Sequence, residues 1–386
     1  MPPELAAHWC LDPAVTYLNH GSFGACPTEV LAVQAELRAE LEREPVDFLV
    51  RTFQGRVDAA RVELAAFLGA DPADLAFVPN ATTGVNVVLR SLGFGPGEEL
   101  LTTSHVYNAC RLTLEHVART TGARLVVATL PFPLADASEI ENAVLAAITP
   151  RTRLALLDHV TSPTALVLPL ARLVPELEAR GVACLIDGAH APGMVPLALS
   201  QLGASYYTGN AHKWLCAPKG AAFLHVRRDR QAGLHPGTLS HGYGSGFHGE
   251  FDWTGTCDPT PWLCIPAAIR VMGGLLAGGW PAVMAANHAL TLQARDHLAA
   301  ALGVPPPAPD DLLGSMAALP LPVPEPGSVL AEVGASGLAD WCRTRGVETW
   351  AYPHPVPLVR ISAQRYNHMA QYEQLATLLK EALRGR

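Results

Sequence analysis

The chain has 386 residues, more than one domain usually holds, so a large domain with a smaller companion is expected. Hydrophobic residues make up 49% of it and charged residues only 16%, which describes a well-buried globular protein with part of its surface covered by a partner subunit. The net charge of −8, without blocks of like charge, argues against nucleic acid or an anionic membrane as partner.

In chain order, Tyr17 to Gly24 reads as a short strand entering a Gly-rich loop. Apolar residues at helical spacing (Val30, Leu31, Val33, Leu37, Leu41) predict a helix over 27–44, and a second runs over 57–68. Leu75–Val78 is a buried strand leading into Asn80-Ala-Thr-Thr-Gly84 and an apolar helix, 85–92. Strands near 100–103, 124–128, 154–157, 183–186 and 206–208 then alternate with helices over 108–120, 137–148 and 170–180. Ala221–Leu224 follows as an edge strand. This alternation predicts a mostly parallel sheet covered on both faces, with ligands at the C-terminal ends of its strands.

Residues 235–261 are rich in Gly, His and aromatics and lack periodicity, as in a functional loop. From Trp262 long helices follow, with a Pro-rich connector (305–309), strands near 315–321 and 358–362 and a last helix over 372–383. The stretch 271–286 is uncharged but broken by glycines and a proline, too short for a membrane span. The eight cysteines lack C-x-x-C spacing, and the N-terminus shows no basic or apolar leader, so reduced thiols in a cytoplasmic protein are expected.

Chemistry concentrates in few places. Lys213 follows Gly209-Asn-Ala-His212 in an apolar setting, where burial would depress its pKa and make the amine a nucleophile; a solvated surface charge is the alternative. Asp187 ends a buried strand in Leu185-Ile-Asp-Gly-Ala-His190 and is either a cap or the partner of a protonated pyridine nitrogen. Together they suggest pyridoxal 5′-phosphate (PLP), held by Lys213 as a Schiff base; His190 is either a structural histidine or a hydrogen-bond partner of the ring oxygen. Asn80 to Gly84, with Thr82 and Thr83, suits a phosphate at a helix N-terminus or an ordinary cap. Tyr107, beside His105, either stacks on a flat ring or packs on the next helix. Arg360, a charge inside a strand pattern, is a paired residue or a clamp for a carboxylate. Gly244-Ser-Gly-Phe-His-Gly249 matches a dinucleotide motif but lacks its strand and helix, and His235, His241 and His248 fit no zinc spacing, so no metal is expected.

These blocks, with Asp252-Trp-Thr-Gly-Thr-Cys-Asp-Pro259 and Val359-Arg-Ile-Ser362, resemble the class V aminotransferase family of fold-type I PLP enzymes, and within it isopenicillin N epimerase-like proteins. The resemblance implies a seven-stranded, mostly parallel sheet between helices in a PLP-binding domain (15–262), with a smaller α+β domain from 1–14 and 263–386. It implies a homodimer with shared sites and an amino-acid-type substrate. Lys213, Asp187 and Tyr107 would be catalytic. Thr82, Thr83, Tyr107, Asp187, His190, Asn210, His212 and Lys213 would bind the cofactor, and Thr256 would reach the neighbouring subunit's phosphate. Asn19, His20 and Arg360 would lie at the substrate. Related cysteine desulfurases carry a nucleophilic Cys shortly before the Arg strand; residues 347–357 have none, which disfavours persulfide chemistry. Epimerisation, C–S lysis like that of hercynylcysteine sulfoxide lyases, and transamination all stay open. A non-catalytic binding protein or a nicotinamide dehydrogenase is disfavoured.

Overall fold

A computed structural model describes residues 3–385. After a 3-10 turn (Pro3–His8) come the strand β1 (Thr16–Tyr17) and a one-turn helix α1 (His20–Phe23), where a Gly-rich loop is expected. Then follow α2 (Thr28–Arg43), α3 (Phe53–Leu68), β2 (Leu75–Val78), α4 (Ala81–Ser91), β3 (Glu99–Thr103), α5 (Asn108–Thr121), β4 (Arg124–Ala128) and α6 (Ala137–Ala146). The large sheet's remaining strands are β5 (Thr152–Asp158), β6 (Ala183–Asp187), β7 (Tyr206–Asn210) and β8 (Ala222–Val226), with α7 (Leu170–Ala179) after β5 and α8 (Leu199–Leu202) after β6.

The seven strands run in the order β2-β8-β7-β6-β5-β3-β4, and only β8 is antiparallel to its neighbours. The expected mostly parallel sheet is therefore present. β8 is not an edge strand: it pairs with both β2 and β7, and all five of its residues are buried. A short apolar run cannot reveal which side is paired. The true edges are β4, whose Val127 is exposed, and β2, which α9 (Phe247–Phe251) closes when His248 Nε2 donates to the Leu75 carbonyl at 3.0 Å. α9 overlaps the glycine motif of 244–249, yet no strand precedes it, so the dinucleotide reading still lacks its context.

Chain order reverses between β3 and β5, and the C-terminal ends of β3, β5, β6 and β7 open on one side. This is the switch point at which open α/β sheets bind ligands. α4 starts at Ala81, four residues before the apolar run, because Asn80 Oδ1 caps the Thr83 N–H at 2.8 Å. Its first turn is polar because it faces the opening rather than the core.

Beyond α10 (Thr260–Leu263), α11 (Ile265–Gly274) and α12 (Gly279–Leu302) pack beside β9 (Met316–Pro320), α13 (Val329–Arg343), β10 (Val347–Glu348), β11 (Trp350–Tyr352), β12 (Leu358–Ser362) and α14 (Met369–Leu383). β11, β12 and β9 form an antiparallel sheet. β1 pairs with β10, and the Ser362 N–H donates to the Leu18 carbonyl at 2.8 Å, so the N-terminal segment is stitched to the C-terminal part. One apolar core joins Leu157, Ile186 and Phe223 of the large sheet to Ala317, Leu319 and Ile361 of the small one. Among the described residues no single helix is long and apolar enough to cross a membrane.

Candidate active site

A cavity of about 180 Å³ opens at the strand ends and is lined by Asn80, Tyr107, Asp158, Asp187, His190 and Lys213, among others. Lys213 sits just after β7 in a loop held from several sides. The Ala211 and His212 N–H groups both donate to the Ala221 carbonyl, the Cys216 N–H donates to the Lys213 carbonyl, and Cys216 itself adopts a left-handed φ of 62°. Gly24, at φ 71°, lies against this turn so closely that a Cβ there would stand 2.1 Å from the His212 carbonyl oxygen. The glycine of the expected loop thus permits backbone contact with the lysine turn.

His20 completes the clamp from beneath. Its Nε2 donates to the Lys213 carbonyl at 3.0 Å, which leaves Nδ1 to accept the Tyr366 hydroxyl at 2.8 Å. Burial keeps this ring neutral, pulling its pKa down to about 3. His20 does not line the cavity; it holds the backbone that carries Lys213. Its replacement by alanine leaves the buried Tyr366 hydroxyl unpaired and the Lys213 carbonyl with the Cys216 N–H alone, and is expected to lower stability by ~1–3 kcal/mol, read from the denaturant midpoint.

Lys213 Nζ lies 3.1 Å from His190 Nε2. Trp214 Nε1, a donor only, reaches His190 Nδ1 at a long 3.5 Å, which places the ring proton on Nε2, directed at the amine. That arrangement needs a neutral lysine. Burial is the main cause that brings the Lys213 pKa down to about 7; the Arg360 charge adds to it and Asp187 opposes it.

Asp187, at the end of β6, accepts the Ala189 N–H at 3.0 Å and the Cys110 thiol at 3.2 Å. Burial pushes its pKa up, and these two donors pull it back. Tyr107 flanks the cavity ahead of α5 and is 42% exposed; burial raises its phenol pKa. His105, its neighbour, turns away and bonds Thr164.

At the other end, Asn210 Oδ1 accepts the Ala81 N–H at 2.8 Å, tying β7 to the start of α4, and Thr82 lines the cavity. His212 Nδ1 donates to the Ala221 carbonyl at 3.1 Å, and burial lowers its pKa to about 4. Thr83 bonds Asn80 and faces an adjoining groove with Arg90 and His235. Thr256 is exposed and touches neither space.

Arg360 is 1% exposed and has no carboxylate partner among the described residues. Nη1 donates to the Ser162 carbonyl at 2.6 Å, the Ser162 hydroxyl at 3.2 Å and the Tyr352 hydroxyl at 3.0 Å, Nη2 reaches Ser22 and Asn19, and Nε is unpartnered. It stands directly behind Ser22 and Ser162 of the cavity wall. Asn19 is a brace for Arg360, held in turn by Glu348 at 3.3 Å, rather than a lining residue. A buried, unpaired guanidinium is costly unless an anion completes it.

Sequence reasoning missed Ser162, Tyr352 and Asp158. Asp158 carried the signal that picked out Asp187, an acid closing an apolar strand. Tyr352 lies on β11, inside the stretch read only for its lack of cysteine. Among the described residues no cluster of His, Cys, Asp and Glu is arranged to hold a metal ion.

The class V aminotransferase model matches residues 27–299. The chain is 38% identical to the isopenicillin N epimerase of Streptomyces clavuligerus over 99% of its own length and 98% of the relative's. It is 29% identical to an L-cysteine desulfhydrase of Arabidopsis thaliana over 99% and 90%. In three dimensions it is similar to a C-DES variant with glycine covalently linked to the PLP cofactor, at a TM-score of 0.78 and 20% identity, over 95% of this chain and 97% of that one. The fold is that of the fold-type I PLP enzymes.

Proposed function

The chain belongs to the class V aminotransferases, a family of PLP-dependent enzymes, and on that footing we propose that it acts at the Cα of an amino acid or amino-acid-like side arm as an isopenicillin N epimerase-like enzyme. The observation that carries this reading is one cavity that gathers a buried lysine of lowered pKa, a buried carboxylate with two donors and a polar helix start, with a buried guanidinium lacking a carboxylate partner behind its wall.

These residues fit the cofactor. Lys213 would bind its aldehyde, Asp187 its ring nitrogen and His190 its ring oxygen. Tyr107 would cover one face, and Thr82, Thr83, Asn210 and His212 would surround the phosphate, where helix N–H groups favour an anion. PLP supplies an electron-withdrawing ring to which a substrate amine is attached. Lys213 Nζ, its pKa brought down to about 7 by burial, would be the base that takes the Cα proton. Asp187 keeps the ring nitrogen protonated. Arg360 would receive the substrate carboxylate, with Nε its one unpartnered donor, and Asn19 and His20 act at second hand, bracing Arg360 and the lysine turn. Tyr107, which lines the cavity and is half-exposed, is the candidate that would return a proton from the other face.

The site is completed in a homodimer, where Thr256 of one subunit reaches the phosphate end of the other. The open groove lined by Thr82, Thr83, Arg90, His235 and Leu239, and exposed Leu239 and Tyr243, support this, as does the low charge. A cytoplasmic location goes with the free cysteines.

Incubation with candidate amino acids in D2O tests the reading. Deuterium at Cα with inverted configuration is expected. Pyruvate and ammonia instead would mark a C–S or β-lyase, the alternative favoured by the cysteine desulfhydrase similarity. A keto acid with pyridoxamine phosphate would mark a transaminase. No Cα exchange with any amino acid, in a protein that holds PLP, overturns it.

Two further outcomes follow. PLP uptake by the cofactor-free protein should accelerate with pH through about 7 and then level, because the amine is free above its own pKa; an ordinary lysine would keep accelerating toward 10.5. Arg360→Lys keeps the charge but loses the fork. It should raise KM at least ~10-fold with a smaller change in kcat.

A further inference from the structure

Asp158 is a second carboxyl in the same cavity, given no role above. It ends β5 as Asp187 ends β6, and the two are register partners on neighbouring parallel strands, so their Cα atoms stand ~5 Å apart on one face of the sheet. The next residue, His159, points the other way and bonds the Tyr207 hydroxyl at 2.8 Å. Asp158 is 2% exposed and Asp187 3%. Asp187 has a donor on each oxygen; the Asp158 carboxylate is served by the backbone N–H groups of Tyr107 and of Asp158 itself, but its Oδ2 has no hydrogen-bond partner among the described residues, and the residue borders the cavity.

Groups that titrate or carry charge around Asp158 are few. β6 presents Asp187, α5 presents Cys110, Tyr107 precedes α5, and the turn after β7 presents Lys213. Cys110 donates to Asp187, and burial brings the Lys213 pKa down to about 7, so its charge near neutral pH is only partial. Arg360, behind the cavity wall, makes no ion pair with either acid among the described residues and is engaged by Ser162, Tyr352, Ser22 and Asn19, so two adjacent buried carboxylates cannot both ionise cheaply. Asp187, with a donor on each oxygen, keeps the charge; Asp158, with Oδ2 bare, is left to hold a proton. Burial first, and the Asp187 charge second, push Asp158 well above the usual carboxylate range.

We propose that Asp158 is a positioning residue that stays protonated beside Asp187, so that Asp187 alone carries the negative charge presented to the cofactor ring. This rests on the PLP reading for its purpose, but the proton itself belongs to this chain.

The test is infrared spectroscopy of the purified protein, with and without PLP, at neutral pH. The wild type labelled with 13C-aspartate should show an isotope-shifted stretch of a protonated carboxylic acid. Asp158→Asn should lack that band while binding PLP within about threefold of wild type, a difference under 1 kcal/mol. Raising the pH should alter the visible band of the wild-type holoprotein as Asp158 ionises, and this alkaline change should be missing in Asp158→Asn. If that variant does not fold, Asp158→Leu, of similar volume, serves the same comparison. No protonated-aspartate band in the wild type, or a band that survives loss of Asp158 and disappears in Asp187→Asn, overturns the proposal. A wild type that takes up no PLP overturns the function instead, and the band in the cofactor-free protein still decides the proton.

Discussion

Lys213→Ala is expected to abolish the visible absorption that borohydride removes from the PLP-loaded protein and to cut Cα-proton exchange by on the order of 10²–10⁴-fold, the usual contribution of a positioned base. Lys213 is the one group in the cavity placed both to hold the aldehyde and to move the proton. The chain contains only three lysines, Lys213, Lys219 and Lys380, which makes the result easy to read. After borohydride, peptide mapping should find the label on Lys213. Lys219 is the nearest competitor in sequence, but its Nζ donates to the Gly24 carbonyl at 2.9 Å and it does not line the cavity. Label on Lys219, or exchange that survives in Lys213→Ala, would remove the lysine from the mechanism. A small amine added to the variant should restore part of the exchange, because a free base can occupy the space of the lost side chain.

Asp187→Asn carries the second large effect. The amide preserves shape, so the Ala189 N–H and the Cys110 thiol have much the same neighbour, and the protein should fold and take up PLP. What is lost is the negative charge that keeps the ring nitrogen protonated. Cα exchange should fall by on the order of 10²–10³-fold, comparable to removal of one preorganised electrostatic partner. The same loss on chemistry with little change in substrate KM distinguishes this role from that of Arg360. If Asp187→Asn instead loses PLP and exchange in equal measure, the carboxylate serves binding rather than the electron sink.

Much of the site is legible along the chain because the family's chemistry sits at strand ends. An apolar run that stops at a carboxylate, a Gly-rich segment, or a Lys between small polar residues each leaves a local mark, and these marks recur in a recognisable order. The mark is also ambiguous. Leu154–Asp158 and Ala183–Asp187 end alike, yet only Asp187 drew attention, since only register shows that the two acids are neighbours. His20 and Asn19 illustrate the converse. Their block is informative, but their side chains support the Lys213 carbonyl and the Arg360 fork instead of facing the cavity.

The sequence by itself determined the alternation of strands and helices, the mostly parallel sheet and the polar cluster at its C-terminal edge, because periodicity and strand-end polarity are properties of neighbouring residues. Tertiary structure alone decided that β8 lies inside the sheet, that β1 is joined to β10, and that Ser162, Tyr352 and Ser22 converge on Arg360. It also decided that Asp158 and Asp187 stand side by side, with Asp158 Oδ2 left bare. Those features depend on hydrogen bonds and fields between residues far apart in the chain, and no pattern of adjacent residues encodes them.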